Sequence, residues 1–165
     1  MAWKKIITSG SNASLNQVTA SFYTGDGSGL TGILTSSYAV TASYCREVKT
    51  FGLTIDGGGS VITTGVKGDV YIPFDCHIDS WYIVADQTGN IVIDVWKDVV
   101  ANFPPTAADS IAGSEKPTLS SVNFNSDTNL TTFTTRKITA GDVIRFNVDS
   151  VATVTRVSLV FKAFI

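Results

Sequence analysis

The sequence is poor in the residues from which catalytic and metal sites are usually built. Among its 165 residues there are one histidine, two cysteines and one methionine, and only 16% are charged. The single histidine, His77, excludes a metal site with several histidine ligands and an acid–base pair of two imidazoles. Cys76 precedes it, but neighbours on a strand point to opposite faces and do not form a nucleophilic pair. We therefore expect a protein that is not an enzyme and that uses no cofactor or metal.

Low charge and the lack of long apolar runs also limit the partners. The net charge is −2, so no basic patch is available for DNA or RNA. No apolar run approaches the ~20 residues that cross a bilayer, and residues 1–10 lack the apolar core of a secretory signal. We expect no nucleic-acid partner, no membrane insertion and synthesis in a cytoplasm. Cys45 and Cys76 are expected to be free, buried thiols rather than a disulfide framework.

The composition changes near residue 50. Fifteen of the first fifty residues are serine or threonine, and so few large apolar side chains cannot offset the entropy of ordering this segment alone. The sequence VTASF at residues 18–22 returns as VTASY at residues 40–44, and Ser-Tyr repeats after six residues within 37–44. An even period keeps equivalent side chains on one face of an extended chain. We expect residues 18–50 to form a stalk that is ordered by winding together with other copies.

From about residue 51 the pattern becomes all-β. Residues 143–149 and 155–163 alternate apolar and polar side chains, with Val160 as an exception, and such alternation is typical of half-buried strands. Further strands are predicted at residues 51–55, 61–64, 70–72, 78–85, 90–97 and 130–135, with a hairpin turn at 56–59, a turn at 86–89 and a turn of helix around 106–111. Roughly eight short strands in residues 51–165 predict a β-sandwich of jelly-roll type.

Four residues of this body are candidates for glycan binding. Trp81 and Tyr82 are consecutive on a predicted strand, so one should face the core and the other the exterior. Asp94 and Trp96 share a face of the next strand, and an exposed aromatic ring beside a carboxylate can stack on a sugar and hydrogen-bond to it. Packing of these rings in the core or between subunits is the alternative. Asp94 with Asp98 also fits the carboxylate pair of a glycosidase, but such pairs arise often by accident among fourteen acids.

The polar N-terminal tail contains one apolar and basic group, made of Trp3, Lys4, Lys5, Ile6 and Ile7. A large apolar side chain in such a tail is a liability unless it docks onto another protein. We interpret residues 1–17 as a segment that anchors the chain to a larger particle.

Several motifs carry a resemblance to a known group of proteins. MAWKKIITSGS at residues 1–11 resembles the N-termini of fibre-like structural proteins of tailed bacteriophages, especially those that infect cyanobacteria. FYTGDGSGLTG at residues 22–32 is similar to an element of their shafts, and the SYAVTASY hexads occur in the same company. IDGGG (55–59), AGSEKP (112–117) and GDVIRFNVD (141–149) resemble a module at the ends of phage tail and fibre proteins. The resemblance implies a homotrimer that is held to other virion proteins by its N-terminus, with the β-domain outermost.

Taken together, these patterns predict a bacteriophage virion protein that is assembled in the host cytoplasm. We expect a short trimeric fibre or spike of the tail or baseplate, all-β, in which an extended, intertwined N-terminal stalk precedes a jelly-roll-like β-sandwich at residues 51–165. Its tip would bind host-surface polysaccharide. Two alternatives stay open: a capsid-decorating head fibre without specific receptor binding, and a stand-alone carbohydrate-binding module.

Overall fold

The computed structural model describes residues 47–165, which form one curled antiparallel sheet. Its strands are β1 (Val48–Asp56), β2 (Gly65–Ile72), β3 (Cys76–Val99), β4 (Thr118–Asp127), β5 (Lys137–Ile138), β6 (Asp142–Ala152) and β7 (Arg156–Phe164). The helical content of the described residues is two single 3-10 turns, Val100–Asn102 and Ala107–Asp109. The all-β prediction is therefore confirmed for this part of the chain, as is the turn of helix expected around residues 106–111. The predictions for residues 1–17 and for most of the stalk, up to residue 46, lie outside the described residues.

The 24-residue strand β3 organises the sheet. The strand order is β1-β7-β3-β6-β2, and β4 and β5 also pair with β3. Residues 77–85 of β3 pair with β7, whereas residues 90–99 pair with β6. We call the two resulting parts the β7 half (β1, β7 and residues 76–85) and the β6 half (β2, β6 and residues 90–99). Their buried faces meet in one core, where the ring centroids of Phe146 on β6 and Phe161 on β7 are 6.4 Å apart.

The prediction of two strands joined by a turn at residues 86–89 is wrong, because β3 bends there without reversing. Asp86 does not close a local turn. Its carboxylate accepts hydrogen bonds from the amides of Thr155 (3.3 Å) and Arg156 (3.0 Å), which tie the bend to the start of β7. Gly89 then passes so close to Ala152 and Thr153 that an added Cβ would lie 2.9 Å from the Ala152 carbonyl oxygen and 2.4 Å from Thr153 Oγ1. The polar residues and the glycine thus serve a bend rather than a hairpin.

The predicted hairpin between residues 51–55 and 61–64 is also wrong. Among the strands that the structure describes, β1 pairs with β7 alone, and the chain after β1 turns through Gly58 and Gly59, whose φ angles are +65° and +86°. Residues 61–64 are not a strand. Ile62 is only 3% exposed and its amide donates to the Val154 carbonyl, so this segment covers one end of the core.

The alternation predicted for the last two long strands is confirmed. Ile144, Phe146 and Val148 on β6 are at most 1% exposed. On β7 the inward residues are equally buried, and the exceptional Val160 is 39% exposed on the outer surface. Each of these strands has one face on the core and one on solvent, which is the situation that produces a period of two.

The strand predicted at residues 130–135 is absent, and those residues form an irregular loop. The carboxylate of Glu115 accepts hydrogen bonds from the amides of Thr131 and Thr132, each at 2.8 Å. These amides are thereby satisfied by a side chain, and Leu130 is still buried. A side-chain acceptor replaces the strand partner that the apolar pattern led us to expect.

Candidate functional site

On the outer surface of the β6 half, several polar and charged side chains contact one another. Asp94 and Trp96 lie two residues apart on β3 and share this surface, while Ile93 and Val95 between and beside them are fully buried on the core side. The register places Asp94 opposite Asn147 and Trp96 opposite Arg145 on β6. Here the structure brings together two of the four predicted glycan-binding residues.

Asp94 is held in place by several donors. It is only 5% exposed, and its carboxylate accepts hydrogen bonds from Ser110 Oγ at 2.7 Å and the Val95 amide at 2.8 Å. Burial raises the pKa of Asp94, but the hydrogen bonds from Ser110, Lys116 and Val95 outweigh burial and hold the pKa below its usual value. The carboxylate therefore stays ionised at neutral pH, and its oxygens are already occupied by protein donors.

Lys116 joins Asp94 to a second carboxylate. Its Nζ lies 3.0 Å from Asp94 Oδ2 and 2.7 Å from Asp149 Oδ2. The hydrogen bond to Asp149 raises the pKa of Lys116, with a further contribution from Asp94. Asn147 Nδ2 donates to the other oxygen of Asp149 at 2.8 Å. Asp94, Lys116 and Asp149 thus form a triad that holds the loop before β4 against the sheet.

A second ion pair lies beside the triad. Arg145 forms a two-pronged salt bridge with Asp69 on β2, with distances of 2.7 Å from Nε and 2.9 Å from Nη2. Its guanidinium also donates to the Pro105 carbonyl at 3.2 Å and lies 5.2 Å from the ring centroid of Phe103. The hydrogen bonds to Asp69 raise the pKa of Arg145. A bidentate pair of this kind fixes the plane of the guanidinium, and so fixes the ring that rests on it.

Three aromatic side chains border these ion pairs. Phe103 is 51% exposed, and Tyr71, on the same face of β2 as Asp69, is 56% exposed. Trp96 is half-buried, and its buried Nε1 has no hydrogen-bond partner. The indole nevertheless lowers the pKa of Asp94, which we attribute to the N–H dipole because the geometry of a hydrogen bond is not met. We call Tyr71, Trp96 and Phe103, with the ion pairs between them, the aromatic–ionic surface.

The other two predicted glycan-binding residues lie elsewhere. Trp81 is 3% exposed on the core side of the β7 half, and its Nε1 is buried without a hydrogen-bond partner. Tyr82 is half-buried on the outer surface of that half, opposite Val160. A buried indole has no ring face open to a sugar, so Trp81 cannot contribute to a surface site. The anchor residues Trp3, Lys4, Lys5, Ile6 and Ile7 are outside the described residues.

Sequence reasoning missed Tyr71, Phe103 and Arg145. The sequence pattern predicts that Tyr71 lies on a strand, but not that its ring is exposed on the outer surface. It predicts that Arg145 points outward, but it does not identify the carboxylate that pairs with it. The salt bridge between Arg145 and Asp69 links positions that are 76 residues apart, and a local sequence pattern cannot predict such a pair.

Other chemistry is not supported by the described residues. His77 is exposed and Cys76 is a buried free cysteine on the opposite face; burial, assisted by Asp75 and Asp142, raises the pKa of the Cys76 thiol. Within residues 47–165, no group of three or more His, Cys, Asp or Glu side chains is arranged to hold a metal ion. The same range contains no helix of the length and apolarity needed to span a bilayer.

No protein-family model, curated protein or solved structure matches this chain. The function is therefore inferred from the chain's own residues.

Proposed function

We propose that the chain is a structural subunit of a bacteriophage virion, a short homotrimeric fibre or spike of the tail or baseplate. Residues 1–17 bind other virion proteins, the segment from residue 18 to the start of β1 forms an intertwined stalk, and the body from Val48 onward is a jelly-roll-type tip; residues 48–50, which the sequence pattern assigned to the stalk, pair with β7 in the body. One observation carries this proposal. A densely packed β body begins at Val48, directly after a repetitive segment with too few apolar side chains to fold alone.

The sandwich assignment is supported by the two half-sheets. The β6 half and the β7 half each have one buried and one outer surface, and their buried side chains, among them Phe146 and Phe161, contact across the core. This is the layer arrangement from which β-sandwiches are built.

The ligand we propose is a host-surface glycan, and its site is the aromatic–ionic surface. Tyr71 and Phe103 offer exposed rings for stacking, and the ion pairs between them supply fixed polar groups. Binding by a single copy is weak, and three copies on one fibre multiply the apparent affinity.

Binding of purified host polysaccharide to the immobilised full-length protein tests this assignment. We expect Tyr71→Ala and Phe103→Ala each to weaken binding about fivefold, for a loss of ~1 kcal/mol of ring contact. Val61→Ala is the matched control, because Val61 is 46% exposed and lies in the loop after β1. Equal binding by all three variants would remove the aromatic–ionic surface from consideration.

A capsid-decorating head fibre without receptor binding is the second candidate. It is favoured by the internal pairing of the polar groups on this surface, since Asp69, Asp94 and Asp149 all contact cations of the same chain. An antibody raised against the protein, imaged on intact particles, separates the two. Label on the tail or baseplate supports our first proposal, label on the head supports the second, and particles without label would contradict both.

A further inference from the structure

The outer surface of the β7 half differs from the aromatic–ionic surface in having no charge at its centre. Two neighbouring rows of side chains cross β1, β7, β3 and β4 there, as the strand registers show. The first row is Gly52, Val160, Tyr82 and Ser126, and the second is Thr54, Ser158, Val84 and Phe124. We call these eight residues the uncharged face.

Large apolar side chains are exposed on the uncharged face. Phe124 is 56% exposed, Val84 51% and Val160 39%. Two of the polar members satisfy each other, since Thr54 Oγ1 and Ser158 Oγ are 2.8 Å apart. Exposed apolar side chains on a face without charge are costly to leave in solvent and suited to burial against another surface.

Charged residues flank these two rows on both sides along the strands. Lys162 pairs with Asp79 at 3.3 Å on one side, and Arg156 and Asp56 face each other on the other side. An apolar centre between polar margins is the usual anatomy of a protein–protein contact.

We propose that the uncharged face is where the bodies of separate copies of this chain contact one another, packed around a shared axis. The inference rests on the homotrimer of the proposed function and goes beyond it by assigning the surface. Charge argues for a second copy as the occupant. Each copy carries a net charge of −2, and the aromatic–ionic surface holds three carboxylates against two cations. Contact between copies through that surface would therefore bring like charge together, whereas contact through the uncharged face adds no such repulsion.

The position of β1 gives an independent reason. β1 contributes Gly52 and Thr54 to the uncharged face, and 47 residues of the sequence precede its first residue, Val48. Because each N-terminal segment is covalently joined to its own body, association of those segments between copies would raise the local concentration of the bodies and favour contact between them.

Two phenylalanines provide an internal control for a test on the purified full-length protein. Phe124 belongs to the uncharged face and Phe103 to the aromatic–ionic surface, and in a single copy they are 56% and 51% exposed. We expect hydroxyl-radical labelling, read by mass spectrometry, to oxidise Phe124 several-fold more slowly than Phe103. Val84→Lys should restore the reactivity of Phe124, and Val66→Lys, at a residue that is 46% exposed on β2, should leave it protected.

Sedimentation of the same samples separates this inference from the proposed function. A trimer with protected Phe124 supports both. A trimer in which Phe124 reacts as fast as Phe103 overturns the assigned face and leaves the trimer standing. A dimer with protected Phe124 supports contact through this face and contradicts the trimer, and a monomer with reactive Phe124 contradicts both.

Discussion

Replacement of Gly89 by alanine tests whether the bend in β3 depends on a close backbone approach. The new Cβ would lie 2.4 Å from Thr153 Oγ1, 2.7 Å from Val154 Cγ2 and 2.9 Å from the Ala152 carbonyl oxygen. Val154 is fully buried and Ala152 belongs to β6, so neither yields without moving the core. Overpacking of this kind lowers the free energy of unfolding by ~1–3 kcal/mol. The lower conformational entropy of the unfolded alanine variant offsets ~0.4–1 kcal/mol of this loss. We expect a net loss of about 1–2 kcal/mol in the free energy of unfolding.

Gly68→Ala is the matched control. Gly68 also lies in a strand, but its added Cβ would contact the end of a flexible side chain, Leu53 Cδ2, at 3.0 Å. We expect this change to alter the free energy of unfolding by less than ~0.5 kcal/mol. Urea unfolding, followed by tryptophan fluorescence at one fixed protein concentration, measures both. With a slope of ~1–3 kcal/mol/M, Gly89→Ala should lower the midpoint by roughly 0.5–1 M; equal midpoints for the two variants would refute the role assigned to the bend.

Two further changes test the carboxylates that hold the loops. Hydrogen bonds, led by the one from the Thr131 hydroxyl, lower the pKa of Glu115 to about 2. A carboxyl group whose pKa is lower in the folded state stabilises the fold at pH values above its unfolded pKa, and this stabilisation is lost as the pH falls from about 4.5 towards 2. Wild type should therefore lose more stability over that interval than Glu115→Gln, as urea midpoints at stepped pH would show, and parallel losses would contradict the assigned contact. Asp94→Asn should lower the free energy of unfolding by about 1–2 kcal/mol, because it removes a hydrogen-bonded, nearly buried negative charge that pairs with Lys116. Asp98→Asn, on the same strand but more exposed, should cost less in thermal unfolding, and the reverse order would show that the triad does not stabilise the body.

The parts of the fold that local patterns predict are those with a single buried face. Alternation in β6 and β7 located both strands and their inward residues, because a period of two reports directly on burial. The same reasoning divided β3 at residues 86–89, since Asp86 and Gly89 are residues typical of turns. Their actual role depends on Ala152 and Thr155, which are distant in sequence, and so the bend is not visible locally.

The candidate site divides in the same way. A shared strand face placed Asp94 beside Trp96, and the structure agrees with that placement. Alternation also required Trp81 and Tyr82 to face opposite sides, but it did not say which of them faces the core. Arg145 could be assigned outward, while its partner Asp69 comes from another strand and becomes known only from the sheet topology.

The pairing of β1 has a consequence for the order in which the body can be made. Within residues 47–165, β1 is the first strand and pairs only with β7, the last, in a ladder from Val48↔Phe164 to Asp56↔Arg156. During synthesis β1 must wait for its partner in this sheet until β7, which ends at Phe164, has been translated. Closure of the β7 half is therefore a late step, and deletion of the nine residues of β7 would leave both β1 and the first part of β3 without their common neighbour.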